Sequence, residues 1–412
     1  MWIVLEYVIY ISIFIGFFAI SFYVLTFISS LKRKPLLLED SELPFVSVII
    51  PAWNEEESTE TTLRSILESD YPNFEVLFVD DGSKDKTLEI AKRFESKKVK
   101  VFTKSNGGKA SALNFGIKRA KGEIIFTMDA DTIVAKDSMK KMARYFKDEK
   151  VMSVTPAMLI HSPDTVLRRM QHIEYLLGIF LRKVFATLNA IYIAPGAFTC
   201  YRKKFFDDYG GYVEGNITED LELAMRIQAK GYKTENCNTA NIYTLGPPTF
   251  KTLSKQRIRW YTGLITNFWN YRWMVGRNFG DLGVIVLPIG WVTILFSLFI
   301  TFVTFVTSIP NMYREIIFWG KINFGILGSL NLSWYAIELS ILRFLSDPLS
   351  VFFIFSVIIT FGYLKYAELK TGKIKHLGRN IFLFFFFFIP LFCYWWIVSF
   401  IKVITNKKIS WR

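Results

Sequence analysis

Residues 46–56 read VSVIIPAWNEE, a β-branched run that ends in a turn of polar side chains. Such runs are typical of buried strands, and the chain repeats the pattern several times. The first of these β-branched or aromatic runs is residues 46–50. Similar runs follow at residues 76–79, 99–102, 124–128 and 152–155. These intervals have room for helices, so the opening run is predicted to be one strand of a larger sheet.

Amphipathic helical patterns separate several of these runs. Apolar residues recur there at helical spacing and share one face within each pattern. They are Leu63, Ile66 and Leu67 in the first pattern and Leu113, Ile117 and Ala120 in the second. Repeated strand, helix, strand units of this length predict an α/β domain with a mostly parallel sheet and right-handed crossovers. We expect this domain to occupy residues 32–281.

Acidic clusters follow two of the predicted strands. Asp80 and Asp81 come after the second strand, and Asp129 and Asp131 come after the fourth. In parallel sheets, ligands bind outside the carboxyl ends of the strands. The two clusters therefore predict a ligand site at that edge of the sheet.

The motif Asp129-Ala130-Asp131 can place two carboxylates beside one oxygen-ligated cation. Mg²⁺ or Mn²⁺ suits such a site, because phosphate oxygens and water complete the coordination shell. The metal would act as a Lewis acid on a departing diphosphate. A solvated acidic turn is the competing interpretation.

The motif Asp80-Asp81-Gly82-Ser83 allows two roles. A carboxylate could accept a hydrogen bond from a nucleobase or ribose, and a ligand would relieve the repulsion between neighbouring acidic clusters. Alternatively, Asp81-Gly82 forms a turn, and Ser83 or Asp85 caps the next helix. Both interpretations can hold for different residues.

Gly107-Gly108-Lys109 stands before the second helical pattern. Backbone N–H groups, a helix amino terminus and a cation would meet there, which favours phosphate. The spacing matches neither a P-loop nor a dinucleotide fingerprint. A glycine turn followed by a surface lysine explains the same residues equally well.

Thr218-Glu219-Asp220 begins another helical pattern. Thr218 could cap that helix, with the acids favourably placed in its first turn. A carboxylate here could instead act as general base on an attacking hydroxyl. The residues alone do not separate the two.

Gln256, Arg259 and Trp260 share nearly one helical face, at spacings of three and four. A guanidinium suits a diphosphate, and an indole offers a flat surface to a sugar ring. The alternative is an interfacial amphipathic helix over residues 250–274. Its membrane anchors would be Trp260, Trp269, Trp273, Lys255 and Arg257.

Long apolar segments flank this polar region. Segments at 7–29, 282–309, 348–364 and 381–401 are long enough to span a bilayer, and the weaker segment 322–342 contains Asn331, Ser333 and Glu338. We expect one amino-terminal span within residues 1–31 and three or four spans within 282–412. Basic residues directly after the first span, at 32–34, predict that the polar domain is cytoplasmic.

Composition agrees with a membrane protein that also has a large polar domain. Of 412 residues, 51% are hydrophobic, and the formal net charge is +14. Because basic residues cluster beside the apolar segments and no nucleic-acid motif is present, lipid headgroups and nucleotide phosphates explain the charge better than nucleic acid does. Three scattered cysteines predict neither a zinc site nor a disulfide framework.

Taken in order, the motifs resemble those of the processive family 2 glycosyltransferases, the cellulose, chitin, hyaluronan and poly-N-acetylglucosamine synthases. The resemblance covers about residues 46–260, and its specificity lies in the ordered set. The matching segments are PAWNEE at 51–56, DDGS at 80–83, GGKA at 107–110, DAD at 129–131, GAFTCYR at 196–202, TED at 218–220 and QxxRW at 256–260.

This resemblance implies a GT-A fold and inverting transfer of a sugar from a nucleotide-sugar, with a UDP-sugar as the expected donor. The implied donor-binding residues are Pro51, Trp53, Asn54, Glu55, Asp80, Lys109, Asp129, Ala130, Gln256 and Arg259. The implied metal ligands are Asp131, favoured as the direct ligand, and Asp129, and the implied catalytic residues are the base Asp220 and its neighbour Glu219. The implied acceptor site comprises Gly196, Ala197, Phe198, Cys200 and Trp260.

Two departures from the family pattern concern the substrate. Trp53 stands where tyrosine is usual, and residues 196–200 match no one synthase clearly. The product is therefore open between a growing β-linked polysaccharide, exported through the membrane, and a lipid that receives one sugar. A nucleotide-binding membrane scaffold without catalysis is the alternative from a different class.

Overall fold

The fold is described from a computed structural model, over residues 2–321, 334–371 and 376–405. The strands are β1 Val46–Ala52, β2 Phe74–Asp80, β3 Val99–Thr103, β4 Ile124–Met128, β5 Thr132–Val134, β6 Val151–Ile160, β7 Phe198–Arg202 and β8 Lys233–Thr244. The five predicted strands are confirmed as β1, β2, β3, β4 and β6. Strands β5, β7 and β8 were not predicted.

The helices separate into those of the polar domain and those of the apolar segments. The first group is α2 Thr59–Leu67, α3 Thr87–Lys92, α4 Lys109–Ile117, α5 Ser138–Ala143, α6 Val166–Thr187, α7 Lys203–Tyr209, α8 Glu219–Ala229 and α9 Phe250–Asn270. The second is α1 Trp2–Ser30, α10 Leu287–Lys321, α11 Trp334–Ser346, α12 Pro348–Thr371, α13 Leu377–Leu383 and α14 Ile389–Ile404.

All eight strands form one sheet, in the order β3-β2-β1-β4-β7-β6-β8-β5. The first four are parallel, as the strand and helix pattern predicted. Beyond β4 the sheet is mixed, because β7 runs antiparallel to both β4 and β6 while β6 and β8 are parallel. This arrangement confirms the expected Rossmann-like α/β fold and adds an antiparallel strand at its centre.

The sheet is covered on both faces, which explains its continuous apolar strands. Every residue of β1 and β2 is buried. In β1, Val48 and Ile50 face the core cluster that includes Leu63 of α2, whereas Ile49 faces the cluster that includes Leu113 of α4. The amphipathic faces predicted for these two helices therefore pack on opposite sides of the sheet.

The reversed strand β7 determines what lies beside β4. Met128 at the carboxyl end of β4 pairs with Phe198 at the amino end of β7. The N–H of Asp129 then donates to the carbonyl of Ala197 over 3.0 Å. As a result, the DAD motif and the segment before β7 are neighbours at one edge of the sheet.

Three helical stretches are long and apolar enough to cross a membrane: Tyr7–Ser30, Pro348–Leu369 and Leu377–Ile404. They agree with three of the predicted spans. Helix α10 covers most of the predicted span 282–309. The strongly apolar helical stretch in this region, Leu282–Phe296, is too short to qualify as a span, so this crossing stays a prediction. Most of the weaker candidate, 322–342, lies outside the described residues.

Helix α9 joins the polar domain to the last of these stretches. The indole N–H of Trp395 in α14 donates to the Ser254 hydroxyl over 3.0 Å, and both residues are buried. Tyr261 stacks on Trp396 with ring centroids 4.5 Å apart. The predicted amphipathic helix is thus confirmed, but one of its faces packs against α14 instead of lying on lipid.

Candidate active site

The candidate site lies where the carboxyl edge of the parallel strands meets the amino ends of α4 and α8. Lys109 is the first residue of α4, and Glu219 is the first residue of α8. The DAD motif follows β4, and the segment before β7 lies beside it. Four separate parts of the chain therefore supply side chains to one place, as expected for such a sheet.

Lys109 is the central cation of this site. Its Nζ atom lies 2.5 Å from Asp129 Oδ1 and 3.3 Å from Glu219 Oε1. Burial disfavours its charged form, but the carboxylates of Asp129, Glu219 and Asp220 more than offset this and raise the pKa of Lys109 above its usual value. The lysine therefore stays protonated throughout the neutral range and holds the acidic groups together.

Gly196 separates Lys109 from Asp220. The N–H of Gly196 donates to Asp220 Oδ2 over 2.9 Å. A Cβ at this position would lie 2.9 Å from both Lys109 Nζ and Asp220 Oδ2, closer than real Cβ contacts. A larger residue here would displace the ends of these two side chains, and the predicted acceptor segment meets the predicted base through its backbone.

The two acids at the start of α8 differ in access. The Glu219 side chain is 2% exposed, and its Oε2 atom is buried without a hydrogen-bond partner in the described part of the chain. Burial, opposed by Lys109, raises the pKa of Glu219 to about 7. Asp220 is half-buried and reaches the cleft. Of the two, Asp220 is better placed to receive a proton from a substrate.

Asp131 lies among other acids. Burial, together with the charges of Asp129 and Glu55, raises the pKa of Asp131 to about 7. A buried carboxylate with other acids beside it favours a bound cation. Among the described residues, no group of three His, Cys, Asp or Glu side chains forms a complete metal site. This donor set fits Mg²⁺ or Mn²⁺ bound by one or two carboxylates, with substrate phosphates supplying further ligands.

Hydrogen bonds connect the turn after β1 to the turn after β2. Asn54 adopts a positive φ of 55°, its N–H donates to the Ser83 hydroxyl, and its Oδ1 accepts from the N–H of Lys84. The N–H of Glu55 donates to the Thr87 hydroxyl over 2.7 Å. The PAWNEE and DDGS motifs therefore form one rigid wall beside the DAD motif.

The acidic pair of the DDGS motif has structural partners. Asp80 is buried, and its carboxylate accepts from the Ser83 N–H and the Thr103 hydroxyl. Asp81 accepts from the N–H groups of Gly107 and Gly108, at 3.0 and 2.7 Å. Both glycine N–H groups are thus occupied by a carboxylate. The predicted phosphate cradle is instead a turn fixed by Asp81, and Lys109 after it is half-buried and paired with acids.

Helix α9 holds the segment that leads into α8. Arg259 donates to the carbonyl of Ile217 over 3.2 Å, and Asn267 donates to the Thr218 hydroxyl over 3.0 Å. Between them, Gly263 packs so closely that an added Cβ would overlap Thr218 Oγ1. These three residues of α9 are four apart and share one face. That face sets where α8, and with it Asp220, begins.

Arg257 was predicted as a membrane anchor, and this is wrong. Its side chain is fully buried, pairs with Glu174 of α6 over 2.6 Å and donates to Gln256 Oε1. Its guanidinium carbon lies 4.1 Å from the ring centroid of Trp260. Trp260 is likewise half-buried against this pair and not a lipid anchor, whereas Trp269 is 64% exposed.

Comparisons with known proteins now identify the domain. Residues 47–210 match the family described as Glycosyl transferase family 2. These residues form a domain that is similar to the family 2 glycosyltransferases. The matched residues span β1 to β7 and include Lys109 and Asp129, whereas Glu219 and Asp220 lie beyond the match. The family match therefore covers part of the site.

Two curated relatives have the same activity in their names. This chain is 34% identical over 238 residues to a poly-β-1,6-N-acetyl-D-glucosamine synthase of Staphylococcus aureus, covering 57% of this chain and 58% of the relative. It is also 34% identical over 255 residues to the synthase of that name from Staphylococcus epidermidis, covering 58% and 62%. The match therefore spans less than two thirds of either relative.

A solved structure shows the same fold over nearly the whole chain. It is a mannosyltransferase from Pyrobaculum calidifontis in complex with GDP-mannose and Mn²⁺. The TM-score is 0.60 at 18% identity, and the alignment covers 96% of this chain and 100% of that one. This likeness supports the GT-A fold and the placement of helices on both sides of the glycosyltransferase domain.

Some residues named for the acceptor do not reach the site. Phe198 and Cys200 are fully buried between sheet and helices, and Phe198 packs on Phe126 with ring centroids 5.0 Å apart. We correct the expected contact for these two side chains, because burial leaves them no surface for a sugar. The side chains of Pro51 and Ala130 are also buried, so any donor contact there would use backbone atoms.

The Lys109 cluster yields a prediction about stability. Lys109→Met should destabilise the fold by about 3 kcal/mol at pH 8, because it leaves carboxylates buried beside each other without a cation. The loss should be smaller at pH 5, where carboxylates with raised pKa values bind protons. Urea unfolding of the detergent-solubilised protein at both pH values measures this.

Lys233→Met is the matched control, because Lys233 forms a single pair with Asp148 in which both partners are about one-third exposed. Such pairs contribute about 0.2–1 kcal/mol. Equal losses for the two variants, or a Lys109→Met loss that does not depend on pH, would contradict a central role for Lys109.

Proposed function

We propose that this chain transfers a sugar from a UDP-sugar to the end of a growing β-linked glycan, with inversion and at the cytoplasmic face of the cell membrane. The observation that carries the proposal is the half-buried Asp220 carboxylate, held by the Gly196 N–H beside Lys109 and the DAD motif. A base, a donor wall and a cation site thus share one cleft. Because two relatives are named as N-acetylglucosamine polymer synthases, UDP-N-acetylglucosamine is the first donor to test.

In this proposal Asp220 is the general base. Its carboxylate accepts the proton of the acceptor hydroxyl as that oxygen attacks the anomeric carbon, and one displacement inverts the configuration. The Gly196 N–H holds the carboxylate in this orientation beside Lys109. Buried Glu219 has no open path to the acceptor and supports the cluster through Lys109.

The donor would lie against the wall formed by the PAWNEE and DDGS turns. Asp131 and Asp129 would hold Mg²⁺ or Mn²⁺, which when bound neutralises charge on the departing diphosphate. Arg259 would reach the diphosphate from α9, and Trp260 would offer its ring to the acceptor sugar. Lys109 already pairs with two carboxylates. Its first role in this proposal is therefore to order the cleft, and contact with the diphosphate is secondary.

Orientation follows from the first span. The basic residues at 32–34 begin the connection to the domain, and Arg33 pairs with Glu235 of β8. By the positive-inside rule this side is cytoplasmic, where sugar nucleotides are made. Helix α9, packed between the domain and α14, would place the acceptor at the membrane surface, from which an exported chain could leave.

The base assignment predicts a loss of turnover without a loss of binding. Asp220→Asn should lower sugar transfer by ~10²-fold or more, while the affinity for UDP stays near that of the unaltered protein. Transfer from radiolabelled UDP-N-acetylglucosamine in membranes measures the first, and calorimetry measures the second.

Asp137→Asn is the control, because Asp137 forms only a surface pair with Lys141. Unchanged transfer by Asp220→Asn would favour a binding scaffold. The same assay identifies the product: a ladder supports polymer synthesis, and one glycolipid band supports transfer of a single sugar.

The metal assignment predicts that Asp131→Ala removes the effect of metal on donor binding. UDP should bind the unaltered protein about 10-fold more tightly with Mn²⁺ than with EDTA, and Asp131→Ala should bind equally in both. Calorimetric titrations of the two proteins, with Asp137→Ala as control, measure this. A metal effect that persists in Asp131→Ala would exclude Asp131 as a ligand.

The face of α9 predicts a positioning effect. Gly263→Ala should push Thr218 away and displace the start of α8, lowering kcat by about 10-fold or more while the affinity for UDP changes little. Gly290→Ala in α10 is the matched control, because a Cβ there meets nothing within 4 Å. Steady-state kinetics and UDP titrations separate the two quantities. A weakened UDP affinity with unchanged kcat would show that this face serves the donor instead.

A further inference from the structure

Arg182 is a charged side chain that the proposed transfer does not use. It lies in α6, and its Nε and Nη2 atoms are buried without a hydrogen-bond partner in the described parts of the chain. None of the described carboxylates forms an ion pair with it. Glu174, the acid on the same helix, is paired with Arg257 over 2.6 Å. A buried guanidinium in this state costs free energy unless another group satisfies it.

The described surroundings of Arg182 supply no group that balances its charge. A Cβ at Gly178, one turn earlier, would lie 3.3 Å from Arg182 Nη1, so the guanidinium rests against the helix where the side chain is smallest. The ionisable groups that act on it are the phenols of Tyr363 and Tyr175. Both are neutral at pH 7, so they do not balance the charge.

The neighbouring charges along α6 have partners elsewhere. Lys183 follows Arg182, and burial together with the charge of Arg33 lowers the pKa of Lys183. Arg33 itself pairs with Glu235, so that acid is already engaged. Arg182 therefore has no carboxylate of its own in the described parts of the chain, and an anion would supply the missing counter-charge.

The position of Arg182 relative to the spans indicates which anion. Phe180 of α6 packs against Phe27 and Tyr363, with ring centroids 5.0 and 4.9 Å apart. Phe27 lies near the end of the stretch Tyr7–Ser30, and Tyr363 lies near the end of Pro348–Leu369. Both ends face the glycosyltransferase domain. Arg182 therefore lies where two spans leave the membrane, which is the level of lipid phosphates.

We propose that Arg182 binds the phosphate of a lipid that enters between α6 and α12. The planar guanidinium matches phosphate oxygens with two parallel hydrogen bonds, and a phosphate would satisfy both buried donors. The site lies away from the donor cleft and goes beyond the proposed transfer reaction. The lipid could be a resident phospholipid or a polyprenyl phosphate that carries the acceptor, and both present the same chemistry.

The test compares lipids with and without phosphate on the full chain in detergent. One pair of probes is phosphatidylglycerol and diacylglycerol, and the other is a polyprenyl phosphate and the corresponding polyprenol. Titrations followed by native mass spectrometry give the affinity of each. We expect tighter binding of the phosphate-bearing member, and Arg182→Gln should weaken that binding by about 10-fold.

Arg168→Gln is the matched control, because Arg168 lies on the same helix and has partners in Asp164 and the Gly246 carbonyl. It should bind lipid like the unaltered protein. Without lipid, Arg182→Gln should melt at the same or a higher temperature, since it removes an uncompensated charge. If Arg182 only stabilised the fold, Arg182→Gln would instead melt at a lower temperature than the unaltered protein.

The outcomes show both whether Arg182 binds a lipid phosphate and which kind of lipid carries that phosphate. Tight binding of polyprenyl phosphate alone, lost in Arg182→Gln, supports an acceptor lipid, and similar binding of phosphatidylglycerol supports a resident lipid. The proposal is overturned if Arg182→Gln keeps its preference for phosphate lipids, or if the unaltered protein shows none. Should Arg182→Gln not fold, Arg182→Lys, which keeps the charge but loses the fork, should bind with intermediate affinity. Lipid binding is measured without transfer, so failure here leaves the Asp220 test unaffected.

Discussion

The ion pairs of Lys109 are the constraint on which the candidate site depends. Four parts of the chain meet at this ammonium group, and two of them, the DAD motif and the start of α8, contribute its three carboxylates. Without a cation, Asp129, Glu219 and Asp220 would repel each other at close range in a partly buried cleft. The lysine allows them to remain together in the absence of ligand. The cleft is thereby assembled in advance, and substrate binding does not have to gather the acids.

A second set of contacts connects this cleft to the membrane. Helix α9 packs with one face against the segment before α8, through Gly263 and Asn267, and with another against α14, through Ser254 and Trp395. The buried pair of Arg257 and Glu174 joins α9 to α6, which in turn packs on α1. Any movement of the last span relative to the domain would therefore be transmitted through α9 and displace the start of α8. This arrangement suits an enzyme whose product or acceptor lies in the membrane.

The sequence predicted the parts of the fold that depend on local pattern. Strands β1 to β4 and β6, the helices with regular apolar faces and three spans follow directly from periodicity. The strand ends also predicted that the DAD motif lies at the carboxyl edge of the sheet, where it is found after β4, because parallel strands bring their carboxyl ends to one edge. The wall formed by Asn54 and Ser83 could not be seen, since its hydrogen bonds join residues far apart in sequence.

The misses have a common physical cause, which is burial decided by tertiary contacts. Strand β7 is short and antiparallel, and its central position buries Phe198 and Cys200, which the family resemblance had placed at the acceptor. In the sequence, Arg257 resembled an interfacial anchor because its partner Glu174 is far away along the chain. Glu174 lies in α6, which also carries other polar residues on its buried face. Arg182 gave no signal, because an unpaired buried charge is visible only once every neighbour is placed. A charged residue inside an otherwise amphipathic helix was the one available hint.

The most direct measurement is a double-mutant cycle between Lys109 and Glu219, which lie on α4 and α8. Unfolding free energies of Lys109→Met, Glu219→Gln and the double variant, at pH 8, give their coupling. If Lys109 holds the carboxylates together, the double variant should be less destabilised than the sum of the single ones by about 1 kcal/mol or more. Additive effects would contradict this and would show that the acids are held in place by the fold alone.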